Sequence, residues 1–142
     1  MAKEDKVMNG TEKVVKHLEM IQAVINRLGR NSFLLKSWSM TILVAAMVLI
    51  AKEDLQNPYT VLVLFLPIFG FWILDGYFLQ QERLFRKVYD EVRGQTDTEF
   101  EMNLGKHKDK PKCSRLSATF SQTLVIFYLI EILFVIAVAY FF

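Results

Sequence analysis

Residues 58–79 read PYTVLVLFLPIFGFWILDGYFL, and this segment is the strongest indication of the protein's architecture. It is apolar almost throughout, and Asp75 is its only acidic or basic residue. A helix rises about 1.5 Å per residue, so about twenty residues cross the hydrocarbon core of a bilayer. The stretch therefore predicts a membrane-spanning helix, which begins at Pro58 because proline is tolerated at the first helical position.

Two other stretches of similar length and composition, 33–51 and 117–142, flank it. The sequence predicts an all-α integral membrane protein with three transmembrane helices, at 33–51, 58–79 and 117–142. The predicted organisation is an N-terminal helical segment, 1–32, followed by a three-span domain, 33–142, that includes a polar segment at 80–116. Three spans take close to half of the 142 residues and leave no room for a separate catalytic domain.

The basic residues are distributed unevenly around these spans. Of the 17 Lys and Arg residues, all but Lys52 lie either before residue 37 or between residues 83 and 115. Basic residues near span ends stay in the cytoplasm. We therefore expect a multi-pass protein of the inner-membrane type, with the N-terminus and segment 80–116 inside and the C-terminus outside.

The N-terminal segment carries the pattern of an amphipathic helix. Asn9 and Glu12 have the spacing of a capping box, which indicates a helix start. A 4-3-4-3 spacing, typical of a coiled-coil seam, then follows at Val14, Leu18, Ile21, Ile25 and Leu28. This seam either joins copies of the chain, or the helix lies in the membrane interface or packs on its own chain's second polar helix. Gly29 is expected to bend the chain into the first span.

The helical pattern of the second span continues beyond the membrane. Leu84, Val88 and Val92 recur every four residues, and Gly94 suits the end of a helix. One helix of about 35 residues is predicted, reaching about 20 Å into the cytoplasm. After it, residues 94–116 change from acidic to basic and bury little apolar surface, so a mobile loop is expected.

The basic end of this loop has two interpretations. Membrane topology and attraction to anionic lipid account for it without a further role. A cytosolic anionic ligand, such as a nucleotide or oligonucleotide, is the more specific alternative. No aromatic residue lies within the run, which argues against base stacking. The candidate residues are Lys106, Lys108, Lys110, Lys112 and Arg115.

Two acidic residues, Asp75 and Glu131, lie inside predicted spans. A carboxylate in hydrocarbon is costly, so such residues mark a functional site by default. Asp75 lies near the cytoplasmic end of its span, where Lys36 is equally shallow, and we expect the two to pair. Counted from Arg115, Glu131 lies past the middle of the bilayer, with no basic residue at its depth. It is either a neutral acid with one weak hydrogen-bond partner, such as Tyr59 or Thr60, or one of a ring of acids around a pore.

Signals for catalysis are weak. The chain has two histidines, His17 and His107, and one cysteine, Cys113, without metal-ligand spacing. No phosphate-binding loop or nucleophile motif occurs. We expect neither an enzyme nor a cofactor or metal.

Residues 71–93, FWILDGYFLQQERLFRKVYDEVR, resemble a pattern in small bacterial membrane proteins. Some of these look like the membrane effectors paired with a nucleotidyltransferase in two-gene antiphage systems of the Hailong type. The resemblance covers about a sixth of the chain. It implies a homo-oligomeric channel in a bacterial inner membrane, opened by a nucleic-acid-like messenger that the partner enzyme makes.

The expected function is therefore a homo-oligomeric channel controlled by its cytoplasmic helices, 11–30 and 80–93. The rival interpretation is a non-conducting membrane scaffold that binds another protein through helix 11–30. A proton-coupled transporter is the third class, and three spans argue against it because they give no inverted repeat unless chains pair.

Overall fold

The computed structural model describes residues 9–50, 58–108 and 110–141, and this part of the chain is helical without a strand. Its elements are α1 (Gly10–Ile50), α2 (Pro58–Val92), α3 (Arg115–Thr119) and α4 (Gln122–Phe141). Two short 3-10 turns, Gly105–His107 and Pro111–Cys113, lie between α2 and α3. Among these residues, α1, α2 and α4 are long and apolar enough to cross a membrane, as the sequence predicts.

Helix α1 runs without interruption through 41 residues, a length of about 60 Å. It begins with the predicted capping box, because the Glu12 N–H donates to Asn9 Oδ1 at 2.8 Å and the Asn9 N–H donates to Glu12 Oε2 at 3.4 Å. The helix continues through Gly29 and past residue 32. The predicted boundary between an N-terminal segment and the first span is therefore not a break in secondary structure. A single glycine costs a helix only about 1 kcal/mol.

Helix α2 has 35 residues, starts at Pro58 and ends two residues before Gly94, which confirms the prediction of one long helix. It contains Pro67. α1 and α2 pack against each other and form most of the fold. The part of the molecule formed by residues 9–31 and 80–114 is called the polar end below. The part formed by 33–50, 58–79 and 122–141 is called the apolar bundle.

The predicted seam on α1 is occupied inside the chain. Four of its five residues are buried, and Leu18 is partly buried. At the polar end they pack on the extension of α2, in a cluster that consists of Val14, Ile21, Ile25, Val88 and Val92. We call this cluster the polar-end core. The structure thus shows these residues in intramolecular contact, as in the alternative in which the helix packs on its own chain's second polar helix. A 4-3-4-3 stripe identifies a face that is buried against a helix, and α2 provides that helix.

The segment that follows α2 is held against the protein, which corrects the expectation of a mobile loop. The Arg83 guanidinium donates to the Lys112 carbonyl at 3.0 Å, and the Gln80 amide donates to the Cys113 carbonyl at 3.0 Å. His107 is buried, and its Nε2 lies 3.0 Å from Glu91 Oε2. Polar side chains of α2 thus hold the segment in place, together with Met102 and Leu104, which pack against the polar-end core.

The predicted third span is divided into two helices. Ser114 caps α3, since its Oγ accepts a hydrogen bond from the Ser117 N–H, and α3 ends at Thr119. The Trp72 indole N–H donates to the Thr119 carbonyl at 2.8 Å, which fixes the break against α2. α4 begins at Gln122, so the helix that is long enough to span a membrane starts five residues later than the sequence suggests.

Gly76 allows α3 to approach α2 closely. A Cβ atom added to Gly76 would lie 2.9 Å from Thr119 Cα, and the backbone would have to move. We expect Gly76→Ala to lower the free energy of unfolding by about 1–3 kcal/mol, the usual cost of overpacking. Gly70→Ala is the matched control, because nothing lies within 4 Å of the added atom and alanine favours a helix. Thermal denaturation of both variants in detergent measures the difference, and equal melting temperatures would contradict the close packing.

Candidate functional site

A polar cluster lies inside the apolar bundle, and Asp75 on α2 is its most connected member. The side chain is completely buried. Its Oδ2 forms an ion pair with Lys36 Nζ on α1, as the sequence predicts. Ser32 Oγ donates to Oδ1 at 2.5 Å, and the Tyr128 hydroxyl on α4 donates to Oδ2 at 3.3 Å. One carboxylate on α2 therefore has partners on both of the other long helices.

Lys36 connects this cluster to the outside. Its Nζ also donates to Ser32 Oγ at 3.0 Å and lies 5.9 Å from the centre of the Phe127 ring. The Lys36 side chain is 23% exposed, whereas that of Asp75 has no exposed surface. Long basic side chains typically bury their stem and keep the charged end near the polar boundary. Lys36 thus marks the boundary between the cluster and the polar end.

Glu131 on α4 is the second buried acid, and its residue is 1% exposed. Ser39 Oγ donates to its Oε2 at 2.8 Å. Its Oε1 has no hydrogen-bond partner within the described ranges. The observed donor is thus Ser39, a hydroxyl that the sequence does not single out, and of the two predicted partners, Tyr59 and Thr60, the side chain of Thr60 lies outside the described residues.

The position of Glu131 along α4 explains why Ser39 is its hydrogen-bond donor. Because α4 begins at Gln122, Glu131 lies nine residues, or about 14 Å, from the start of its helix. Ser39 is three residues beyond Lys36, so its partner Glu131 lies about 5 Å, less than one turn, further from the polar end than the Lys36–Asp75 pair. The two acids thus belong to one cluster.

In this conformation Glu131 is not presented to a pore ring between copies of the chain. A ring around an axis between copies requires the carboxylates on the outside of each bundle. Glu131 instead faces the interior of its own chain, where Ser39 binds it. Any path that uses Glu131 therefore runs inside one bundle.

Apolar side chains close the bundle on the far side of the cluster. Their exposed fractions are at most 2%, and they are Leu43 on α1, Leu64 and Ile68 on α2, and Val135 on α4. We call these four residues the apolar plug. Leu43 and Val135 each lie one turn beyond a member of the cluster, Ser39 and Glu131 respectively. The cluster is thus accessible toward Lys36 and sealed in the opposite direction.

The five basic candidates on segment 106–115 lie elsewhere, and all are exposed. Lys106 Nζ is 3.9 Å from Glu91 Oε1, and the Arg115 guanidinium lies 5.8 Å from the Tyr77 ring centre. A cavity of about 460 Å³ opens beside Lys106, but its charged lining includes more carboxylates than ammonium groups: Lys13, Glu91, Asp97, Glu99, Glu101 and Lys106. This cavity does not suit an anion, so an anionic ligand or lipid headgroup would have to bind on the outer surface.

His17 has a role that the sequence does not suggest. It is completely buried on α1, with Nδ1 2.8 Å from Thr98 Oγ1 and its ring centre 5.5 Å from that of Phe100. Phe100 has a positive φ of 61°, which is costly for a residue with a side chain. His17 thus fastens the segment after α2 onto α1. The spacing of Val14, His17 and Ile21 on one helix face is the signal that could have shown its burial.

This position predicts a pH dependence. Burial lowers the pKa of His17 below its ordinary value of 6.5. Above that value His17 is neutral in both the folded and the unfolded chain. As the pH falls below it, the unfolded chain takes up the proton first, so the free energy of unfolding decreases. We expect a lower melting temperature of the polar end at about pH 5.5 than at about pH 7.5, and a smaller decrease in His17→Leu. An equal pH dependence in both proteins would contradict the assignment.

Within the described residues, no group of three His, Cys, Asp or Glu side chains could hold a metal ion. Comparison of the chain with protein-family models, with curated proteins and with solved structures finds no match. The polar cluster is therefore the feature from which a function has to be inferred.

Proposed function

We propose that the chain is a three-span membrane protein that forms a homo-oligomeric cation channel. One observation carries the proposal: Lys36, Asp75, Tyr128, Ser39 and Glu131 form a polar cluster inside three helices that are otherwise apolar. Ionisable groups at such depth are costly, and they typically mark ion pathways or proton relays.

The apolar plug supports a path that is closed in this conformation. Hydrophobic constrictions of this kind gate channels by excluding water. The cluster would admit ions from the polar end as far as Glu131, and Leu43 and Ile68 would block them beyond it. Opening would then require that α4 move away from α1 and α2.

The exposed surface of the apolar bundle supports membrane insertion. Large apolar side chains such as Leu62, Leu66 and Ile136 are more than half exposed. Such a surface is unfavourable in water and favourable against lipid tails. The basic residues of the polar end support a cytoplasmic polar end with the C-terminus outside, as expected for a bacterial inner membrane.

The last part of the proposal is that a ligand bound at the polar end controls the opening of the channel. The resemblance of residues 71–93 suggests an effector in antiphage defence, opened by an anionic nucleotide or oligonucleotide from a partner enzyme. Lys108, Lys110 and Lys112 are exposed and would offer such a ligand, or anionic lipid, a basic surface. The polar-end core joins this region to α1 and α2.

Flux through proteoliposomes tests the proposal. We expect the purified protein to release K⁺ or H⁺, and Glu131→Gln to change the rate by about tenfold or more, equivalent to about 1.4 kcal/mol. Glu19→Gln is the matched control, since it makes the same chemical change at an exposed site of the polar end. Native mass spectrometry of the same preparation gives the number of subunits. A monomer with no flux of either ion would refute the channel.

A scaffold remains the second candidate because of one surface. A shallow groove lies beside the polar-end core, lined in part by Val15, Leu18 and Ala23 of α1 and Tyr89 of α2. Val15 is 51% exposed, which suits a protein-binding surface. Under this hypothesis the protein carries no ions, and Val15→Asp abolishes binding of a second chain that co-purifies with it.

A further inference from the structure

We propose that Glu131 is a proton-binding site, with the exchangeable proton on Oε1, and that Tyr128 and Asp75 connect it to the polar end. The ion that uses the cluster is then a proton. The site itself stands on the geometry alone. The identity of the transported ion rests on the proposed function.

The charges around Glu131 are the first argument. The ionisable groups near it are Lys36 from α1, Asp75 from α2 and Tyr128 from its own helix. Lys36 is the only basic side chain in this set, and its Nζ is bound to Asp75 Oδ2 and Ser32 Oγ. A carboxylate at Glu131 would therefore have no cation beside it. Isolated buried charges of this kind are avoided by taking up a proton.

The hydrogen bonds of Glu131 give the second argument. Oε2 accepts from the Ser39 hydroxyl at 2.8 Å, as the carbonyl oxygen of a neutral acid would. Oε1 is buried and has no hydrogen-bond partner in the described part of the chain, so it is the oxygen that would carry the proton. A buried O–H without an acceptor costs less than a buried charge without a cation.

Tyr128 provides the route for exchange. It lies three residues before Glu131, on the same face of α4, and its hydroxyl already donates to Asp75 Oδ2 at 3.3 Å. If the Glu131 side chain turns toward Tyr128, its proton can pass to the Tyr128 oxygen while the hydroxyl proton passes to Asp75 Oδ2. Glu131 is then a carboxylate and Asp75 a neutral acid. The partly exposed Lys36 ammonium releases one of its own protons to water and takes the Asp75 proton in its place, so that Lys36 is again an ammonium and Asp75 a carboxylate.

Infrared spectroscopy of the full-length protein in lipid detects this proton directly. A neutral carboxylic acid has a C=O stretch at higher frequency than a carboxylate or an amide, and the band shifts in D₂O. We expect this band at neutral pH in the wild-type protein and its loss in Glu131→Gln. Asp75→Asn should retain it. Ser39→Ala should move it to higher frequency, because the carbonyl oxygen loses its donor.

Flux measurements on the same vesicles separate this inference from the proposed function. The C=O band together with H⁺ flux, but without K⁺ flux, supports both the proton site at Glu131 and the proposed channel. K⁺ flux without H⁺ flux overturns the inference that the transported ion is a proton, and it leaves the proposed channel in place. The band without any flux supports the proton site and overturns its role in conduction. Absence of the band at neutral pH, or its persistence in Glu131→Gln, overturns the site itself.

Discussion

Replacing Lys36 by methionine is expected to destabilise the protein by about 3–5 kcal/mol, because it leaves a buried carboxylate without its cation. Asp75 has no exposed surface, and Lys36 is its only basic partner among the described residues. Methionine keeps the length and apolar stem of the side chain, so the loss comes from the charge. Thermal and denaturant unfolding in detergent measure the change in the free energy of unfolding.

Two further variants isolate this effect. The double variant Lys36→Met with Asp75→Leu removes both charges, and we expect it to recover most of the lost stability, as replaced buried pairs often do. Lys16→Met removes an exposed charge from the same helix and should change stability by no more than about 0.5 kcal/mol. If Lys36→Met melts at the same temperature as the wild type, the ion pair does not hold the bundle together.

Ile21→Ala is the second large effect, at about 2–5 kcal/mol of local stability. Ile21 is completely buried in the polar-end core, where α1 packs on Val88 and Val92 of α2. Truncation leaves a cavity between the two helices, so α1 should separate from α2 there. Hydrogen exchange followed by peptide should report faster exchange at the polar end, with little change in the apolar bundle.

Val15→Ala is the matched control for Ile21→Ala. Val15 lies on the same helix but is 51% exposed, so its truncation should cost no more than about 0.5 kcal/mol. The effect of Ile21→Ala should not depend on protein concentration, because its partners belong to the same chain. A loss that disappears at high concentration would instead place Ile21 between copies.

The main elements of this fold are predictable from local sequence. Length and apolar composition identify the three helices, and the recurrence of Leu84, Val88 and Val92 extends α2 to its observed end. The Lys36–Asp75 pair follows from two opposite charges at similar depth. Each of these inferences needs only the rise of a helix and the cost of a buried charge.

The differences concern which residues contact each other and the division of the third predicted span into α3 and α4. The stripe of Ile21 and Ile25 shows that a face is buried, but periodicity does not say which helix covers it. The break after Thr119 has no glycine or proline to indicate it, so the sequence does not show that Glu131 lies only nine residues into its helix. Its partner Ser39 could not be identified, since a hydroxyl in a span also bonds to its own helix, as Thr41 does to the Ser37 carbonyl at 2.8 Å.

The different construction of the helices has a mechanical consequence. α1 and α2 pass from the polar end into the apolar bundle as unbroken rods, while α4 is connected through the joint at Phe120 and Ser121. A rotation of α1 and α2 at the polar end is therefore transmitted to the apolar bundle through continuous helix. α4 is instead connected through two non-helical residues, so its direction can change without breaking a helix. The protein thus combines two continuous helices, α1 and α2, with one helix, α4, that is attached through a short non-helical joint.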